Sequence, residues 1–135
     1  MFLLDTNVLS ETRVGRAKPV IAWLAAQDES DLYISVLSLG ELRRGVESLR
    51  RRDAVTARHL DRWLAGLVVT YRDRTLPVDG AVAEIWGRLN VPSALPAIDS
   101  LLAATAVLHD LTVVTRNERA FVRTGVATLN PFTSG

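Results

Sequence analysis

The chain has 135 residues, a formal net charge of +1 and no cysteine. A chain of this length buries roughly two-thirds of the surface it exposes when unfolded, so one domain over residues 1–135 is expected to fold without disulfides or structural metal. The absent thiols exclude cysteine nucleophiles, zinc ribbons and iron–sulfur centres and suit a reducing cytoplasm, while the near-neutral balance argues against a globally basic nucleic-acid binder.

Met1 leads straight into the apolar run Phe2-Leu3-Leu4, with no basic leader. No apolar stretch approaches the ~18 residues that a bilayer span needs. A cytoplasmic protein with no membrane contact is expected.

Phe2–Leu4 is short and continuously apolar, which predicts a strand buried on both faces. Pro19–Gln27 carries Val20, Ile21, Trp23 and Leu24 at helical spacing, and Leu32–Val36 is a second strand candidate. Ser38–Leu49 and Ala54–Leu67 read as two helices, the first with Leu39, Leu42, Val46 and Leu49 on one face, the second with Leu60, Trp63, Leu64 and Leu67. Leu67–Tyr71 is β-rich and predicts a short edge strand. Asp79 is placed to cap a helix from about Gly80 to Leu89. Turn chemistry at Pro92, Ser93 and Pro96 precedes a helix over about Ile98–His109. Leu111–Thr115 is the clearest strand, and Val126–Leu129 a weaker one. Short apolar strands alternating with helices predict a parallel α/β sheet. In such sheets, ligands sit outside the carboxyl ends of the strands.

Charge is unevenly distributed. Arg43–Arg62 holds seven arginines against three acids, a local balance of +4 that leaves −3 for the rest of the chain. Fifteen of the sixteen basic residues are arginine, a composition suited to phosphate contacts. The segment has three readings: a solvated helix face, a phosphate track, or a docking surface for a protein partner.

Four oxygen-bearing residues fall at strand ends or helix starts. Asp5 follows Phe2-Leu3-Leu4, where an ionised carboxylate is costly unless it meets solvent or a cation; it is also placed to cap a helix starting at Thr6 or Asn7. Glu41 completes Ser38-Leu39-Gly40-Glu41, the S-x-x-E pattern of a capping box, and is expected in the first turn of a helix that follows a strand. Asp99 lies in the first turn of its helix, where an acid favours the dipole. Asn117 follows the strand at Leu111–Thr115 and reads either as a turn residue or as a weak oxygen ligand. Were the three acids to share a pocket, two unit charges ~4 Å apart would repel by about 4 kcal/mol at an effective dielectric of 20. A divalent cation offsets that repulsion, and all-oxygen ligands favour Mg²⁺ or Mn²⁺ over zinc.

At these residues the sequence resembles the PIN-domain family, and within it the VapC toxins of toxin–antitoxin pairs. Phe2–Glu11 looks like the family's first strand and first catalytic Asp, and Ile34–Gly45 like the motif ending in its catalytic Glu. Asp99 with the following Ser-Leu-Leu-Ala-Ala-Thr-Ala resembles the third motif, and Thr112–Phe121 with Gly125–Phe132 resembles the fourth motif and last strand. The resemblance runs through essentially the whole chain. It implies a parallel sheet between two helical layers and a Mg²⁺- or Mn²⁺-dependent endoribonuclease. It further implies a cognate antitoxin that blocks the site, and a homodimer. Asp5, Glu41 and Asp99 then become metal ligands, with Glu41 holding the ion or its water, and Asn117 completes the catalytic set. Many PIN domains carry a fourth acid at the position of Asn117, so this chain is expected to hold one ion tightly and to recruit a second with the substrate phosphate. Thr6 and Thr115 are candidate supporting hydroxyls. His59 and His109 are expected in structural or solvated roles, and Trp23, Trp63 and Trp86 in the core or an interface rather than as base-stacking platforms.

Two other functions fit parts of the pattern. A haloacid-dehalogenase-like phosphatase also begins with a strand ending in Asp, but its Asp-x-Asp would need an acid where Asn7 stands, and Lys18 is the only lysine. A nucleic-acid-binding PIN domain without catalysis would be expected to have lost some of the acids.

Overall fold

In the computed structural model, which describes residues 1–133, Phe2–Leu4 (β1) is the middle strand of a five-stranded parallel sheet. Leu32–Ser35 (β2) and Thr75–Leu76 (β3) lie to one side of it, and Thr112–Val114 (β4) and Thr128–Leu129 (β5) to the other, giving the order β3-β2-β1-β4-β5. Phe2 is in register with both Leu32 and Thr112, and Leu3 with Val113. Parallel neighbours cannot be joined by a tight hairpin, so every connection crosses a face of the sheet. Thr6–Val14 (α1) and Lys18–Ala26 (α2) join β1 to β2; Val36–Arg50 (α3) and Ala54–Thr70 (α4) join β2 to β3. Gly80–Leu89 (α5) and Ala97–His109 (α6) join β3 to β4, and a 3₁₀ segment at Glu118–Thr124 joins β4 to β5.

Strand alternation splits the core in two. Leu4, Leu32, Ile34 and Val114 pack with Val8, Leu9, Val20, Val46, Leu64 and Leu67 from α1–α4. Leu3 and Val113 pack on the other face with Leu102, Ala103 and Ala106 of α6 and with Phe121. Burying each large aliphatic side chain contributes about 1.5–3 kcal/mol. The result is the three-layer α/β/α arrangement expected from the sequence. Helix α6 is buried along Leu102–Ala106, and its small side chains let it lie close to its neighbours.

Two local expectations are corrected. Leu67–Tyr71 is not an edge strand: it closes α4, where Leu64, Leu67 and Tyr71 continue the buried face while Val68 and Val69 are exposed. The edge strand that follows α4 is β3, farther along. Helix α3 starts at Val36, capped by the Ser35 hydroxyl, which accepts the Leu37 N–H at 3.0 Å. The Ser38–Glu41 capping box therefore does not form, and the buried Ser38 Oγ has no partner among the described residues.

Candidate active site

The chain reverses direction at Asp5. Its N–H donates to the Val114 carbonyl at 2.9 Å, extending the β1–β4 pairing by one residue, and its own carbonyl accepts the Val8 and Leu9 amides that open α1. The side chain works at the same point. Oδ1 accepts the Thr6 N–H at 2.7 Å, and Oδ2 accepts the Thr115 hydroxyl at 2.8 Å, with Asn7 Nδ2 at 3.5 Å. Asp5 is thus the helix cap that its sequence position allows, and its capped carboxylate faces the carboxyl end of the sheet.

Glu41, in the second turn of α3, is reached by the Thr6 hydroxyl, which donates to its Oε1 at 2.6 Å. Asp99 stands in the first turn of α6. Asn117 follows β4, and its N–H donates to Thr115 Oγ1 at 3.0 Å. One cleft of about 470 Å³ is lined by Asp5, Glu41, Asp99 and Asn117, together with Thr6, Asn7, Ser10 and Ile98. All four predicted residues are therefore brought together, from four separate segments of the chain. Neither His59 nor His109 lines the cleft; both are exposed.

The lining residues carry three acids and no cationic side chain. Burial pushes the Asp5 carboxyl above its ordinary value, against the hydrogen bonds from Thr115 and Thr6, which favour the ionised form; the charge of Glu41 adds to the rise. Burial also raises Asp99, followed by repulsion from Asp5 and Glu41. The three carboxylates thus act on one another electrostatically. They do not close on a single point: among the described residues no three acidic or imidazole groups stand together at metal-binding distance. Glu41 is held on Thr6 instead. The donor chemistry fits a hard cation, because every polar group that lines the cleft offers oxygen, as carboxylate, amide or hydroxyl.

Asn7 and Ser10 are lining residues that sequence reasoning passed over, Asn7 having been noted only as a missing acid. A signal was present: Thr6 and Ser10 are four residues apart and share one face of a helix that Asp5 begins. The Asn7 amide oxygen also accepts the Arg116 N–H at 3.1 Å, tying α1 to the segment after β4.

The PIN domain family model matches residues 2–127 of the chain. The chain is a PIN domain. Toxin FitB of Neisseria gonorrhoeae is 36% identical over 138 residues, covering 98% of this chain and 99% of that protein. A VapC ribonuclease, Y4jK of Sinorhizobium fredii, is 32% identical over 143 residues, covering 98% of each. A solved structure of FitAB bound to an IR36 DNA fragment superposes with a TM-score of 0.89 at 32% identity, over 100% of this chain and 98% of that one. Membership in this family sets aside the phosphatase alternative.

Elsewhere in the PIN domain, Arg43 and Arg50 each bridge Glu47 and Asp61 at 2.9–3.1 Å, joining α3 to α4. Part of the arginine-rich segment is therefore locally neutralised. The tryptophans are structural: Trp23 meets Phe2 edge-on at 4.9 Å, Trp63 packs on the α1–α4 core, and Trp86 Nε1 donates to Ser100 Oγ at 2.9 Å. No helix among the described residues is long and apolar enough to cross a membrane.

Proposed function

We propose that this PIN domain is a divalent-cation-dependent endoribonuclease acting as the toxin of a toxin–antitoxin pair. The observation that carries the reading is the shared cleft: three carboxylates from distant segments line one hollow that no cationic side chain enters, at the carboxyl end of the central strand. The near full-length likeness to a toxin and to a VapC ribonuclease supports the same assignment. We further propose a cognate antitoxin protein as the partner and a homodimer as the assembly.

Asp5, Glu41 and Asp99 are the residues that would hold Mg²⁺ or Mn²⁺. Such a cation supplies Lewis-acid chemistry, activating water and offsetting charge that develops on the phosphate. The remaining work falls to the chain. Thr115 and the Thr6 amide fix both oxygens of Asp5, so its carboxylate is oriented before any ligand arrives. The Thr6 hydroxyl orients Glu41, so a single residue positions two of the acids. Asn117 lines the cleft with a neutral amide, which leaves this part of the cleft less negative than a fourth carboxylate would. With no histidine in the lining, proton handling rests on carboxylates and water.

The test is cleavage of single-stranded RNA by the purified chain, freed of any partner, with Mg²⁺ or Mn²⁺. Asp5→Asn and Asp99→Asn should each lower turnover by ~100-fold or more, the scale of losing a central electrostatic group. Wild-type turnover in either variant would remove these residues from the mechanism. RNA that is bound but left uncut by the wild-type chain would point to the non-catalytic alternative.

A further inference from the structure

Beside the acid cleft lies a second hollow, of about 400 Å³, between α1, α3 and α4. The two are continuous, because Thr6, Ser10 and Glu41 line both. Its lining is otherwise apolar, including Leu42, Leu60 and Trp63, which also pack on the core. The exceptions are Arg13, in the last turn of α1, and Arg52, just past α3, both exposed.

Arg13 and Arg52 are the arginines among the residues that line this hollow. Arg43 and Arg50 are consumed by Glu47 and Asp61, whereas Arg13 and Arg52 make no ion pair among the described residues. The acid next to Arg52 in sequence, Asp53, spends its carboxylate oxygens on the Thr56 amide and hydroxyl at 3.1 and 2.6 Å. The groove is thus polarised. Asp5 and Asp99 stand at one end and the guanidinium groups of Arg13 and Arg52 at the other, with Glu41 at the join. A nucleic-acid strand entering the acid end places its neighbouring phosphates along the same groove, where the acids repel them and the arginines attract them. Guanidinium forks match phosphate oxygens well, and the apolar lining suits the flat face of a base or ribose.

We propose that Arg13 and Arg52 are positioning residues that bind a backbone phosphate adjacent to the scissile one, seating that nucleotide in the α1–α3–α4 hollow. The proposal rests on the ribonuclease reading and names the part of the groove that sets substrate register.

The experiment has two arms. In an Asp99→Asn background, binding of a short single-stranded RNA is measured against salt for Arg13→Gln, Arg52→Gln and the pair, with Arg72→Gln, exposed at the opposite end of the sheet from the acids, as control. Each phosphate of a single strand that the protein no longer neutralises lowers the log–log salt slope by about 0.7, so the slope should fall by about 0.7 in the pair and stay unchanged in the control. In the otherwise wild-type chain, the pair should raise KM for RNA roughly tenfold with kcat nearly unchanged, the mark of weakened uniform binding. A wild-type chain that cleaves RNA, with slope and KM unmoved in the pair, overturns the proposal and leaves the ribonuclease reading standing. A pair that keeps its RNA parameters but loses affinity for a co-purifying protein partner also overturns it, assigning the hollow to that partner. A wild-type chain that does not cleave RNA in any divalent cation defeats the ribonuclease reading and the proposal with it.

Discussion

Replacing Thr115 by valine isolates the interaction that holds Asp5 in place. Thr115 is fully buried; its hydroxyl donates to Asp5 Oδ2 at 2.8 Å and accepts the Asn117 N–H at 3.0 Å. Valine keeps the shape, so no cavity opens, and the loss is chiefly that of a hydrogen bond to a charged acceptor, about 1.5–3 kcal/mol. The Asn117 N–H, on an exposed residue, can turn to water and adds little. The expected cost near pH 7 is about 2 kcal/mol, from a total that for a domain is only about 5–15 kcal/mol. For a chain of this length it lowers the melting midpoint by roughly 6–10 °C. The sign of the pH dependence follows from the bond's partner. Thr115 favours ionised Asp5 and offsets part of the rise that burial imposes, so removing it raises the folded-state pKa further. The penalty is therefore full where Asp5 is ionised, and shrinks as pH falls through its titration range to the ~1 kcal/mol of a neutral hydrogen bond. Thermal and urea unfolding at several pH values, with and without Asp5→Asn, forms a double-mutant cycle. Thr115→Val as stable as the wild type at neutral pH, or equally costly in the Asp5→Asn background, would show that this bond does not support the carboxylate.

Asp99→Asn should stabilise the fold at neutral pH, by no more than about 1 kcal/mol for a partly exposed charge. The folded-state pKa of Asp99 is raised by burial and by its two acidic neighbours, so this advantage is full above that pKa and disappears as pH falls below the ordinary carboxylate value; melting curves across that range check it. Ser38→Ala should leave stability unchanged or improve it by up to about 1 kcal/mol, since it removes a buried hydroxyl with no partner from a helix; a clear loss in urea midpoint would reveal a bond that the structure does not contain. Arg50→Met removes one arm of the exposed Arg43–Glu47–Arg50–Asp61 network and should give a small loss at low salt. That loss should vanish near 1 M salt, where screening reaches ~3 Å.

The strands of the core were legible because each is a short apolar run set between turn residues. Phe2–Leu4 appears where expected, β2 stops one residue short of the expected Leu32–Val36 because Val36 opens α3, and β4 occupies the middle of Leu111–Thr115. Strand β3 was missed because two residues, Thr75 and Leu76, carry no periodicity. The Leu67–Tyr71 error came from reading β-branched Val68, Val69 and Thr70 as strand formers, when Leu64, Leu67 and Tyr71 keep the helical spacing that burial obeys. The site was legible as a set of acids at element ends, since a parallel sheet gathers its strand termini on one side. Its internal wiring was less so. Thr6 and Thr115 stood out as nearby hydroxyls, but which acid each would serve depends on hydrogen bonds between residues 35 and 110 positions apart in sequence. The S-x-x-E motif misled for the same reason: Ser35 outcompeted Ser38 as cap, and Glu41 was left for Thr6.

Direct titration of Mn²⁺, followed by electron paramagnetic resonance on the purified chain with no RNA present, asks whether positions 5, 41 and 99 work as one ligand set. Saturable binding is expected in the wild type, weakening sharply in each of Asp5→Asn, Glu41→Gln and Asp99→Asn, while Arg72→Gln binds as the wild type does. Undiminished Mn²⁺ binding in all three acid variants would contradict a shared ligand set.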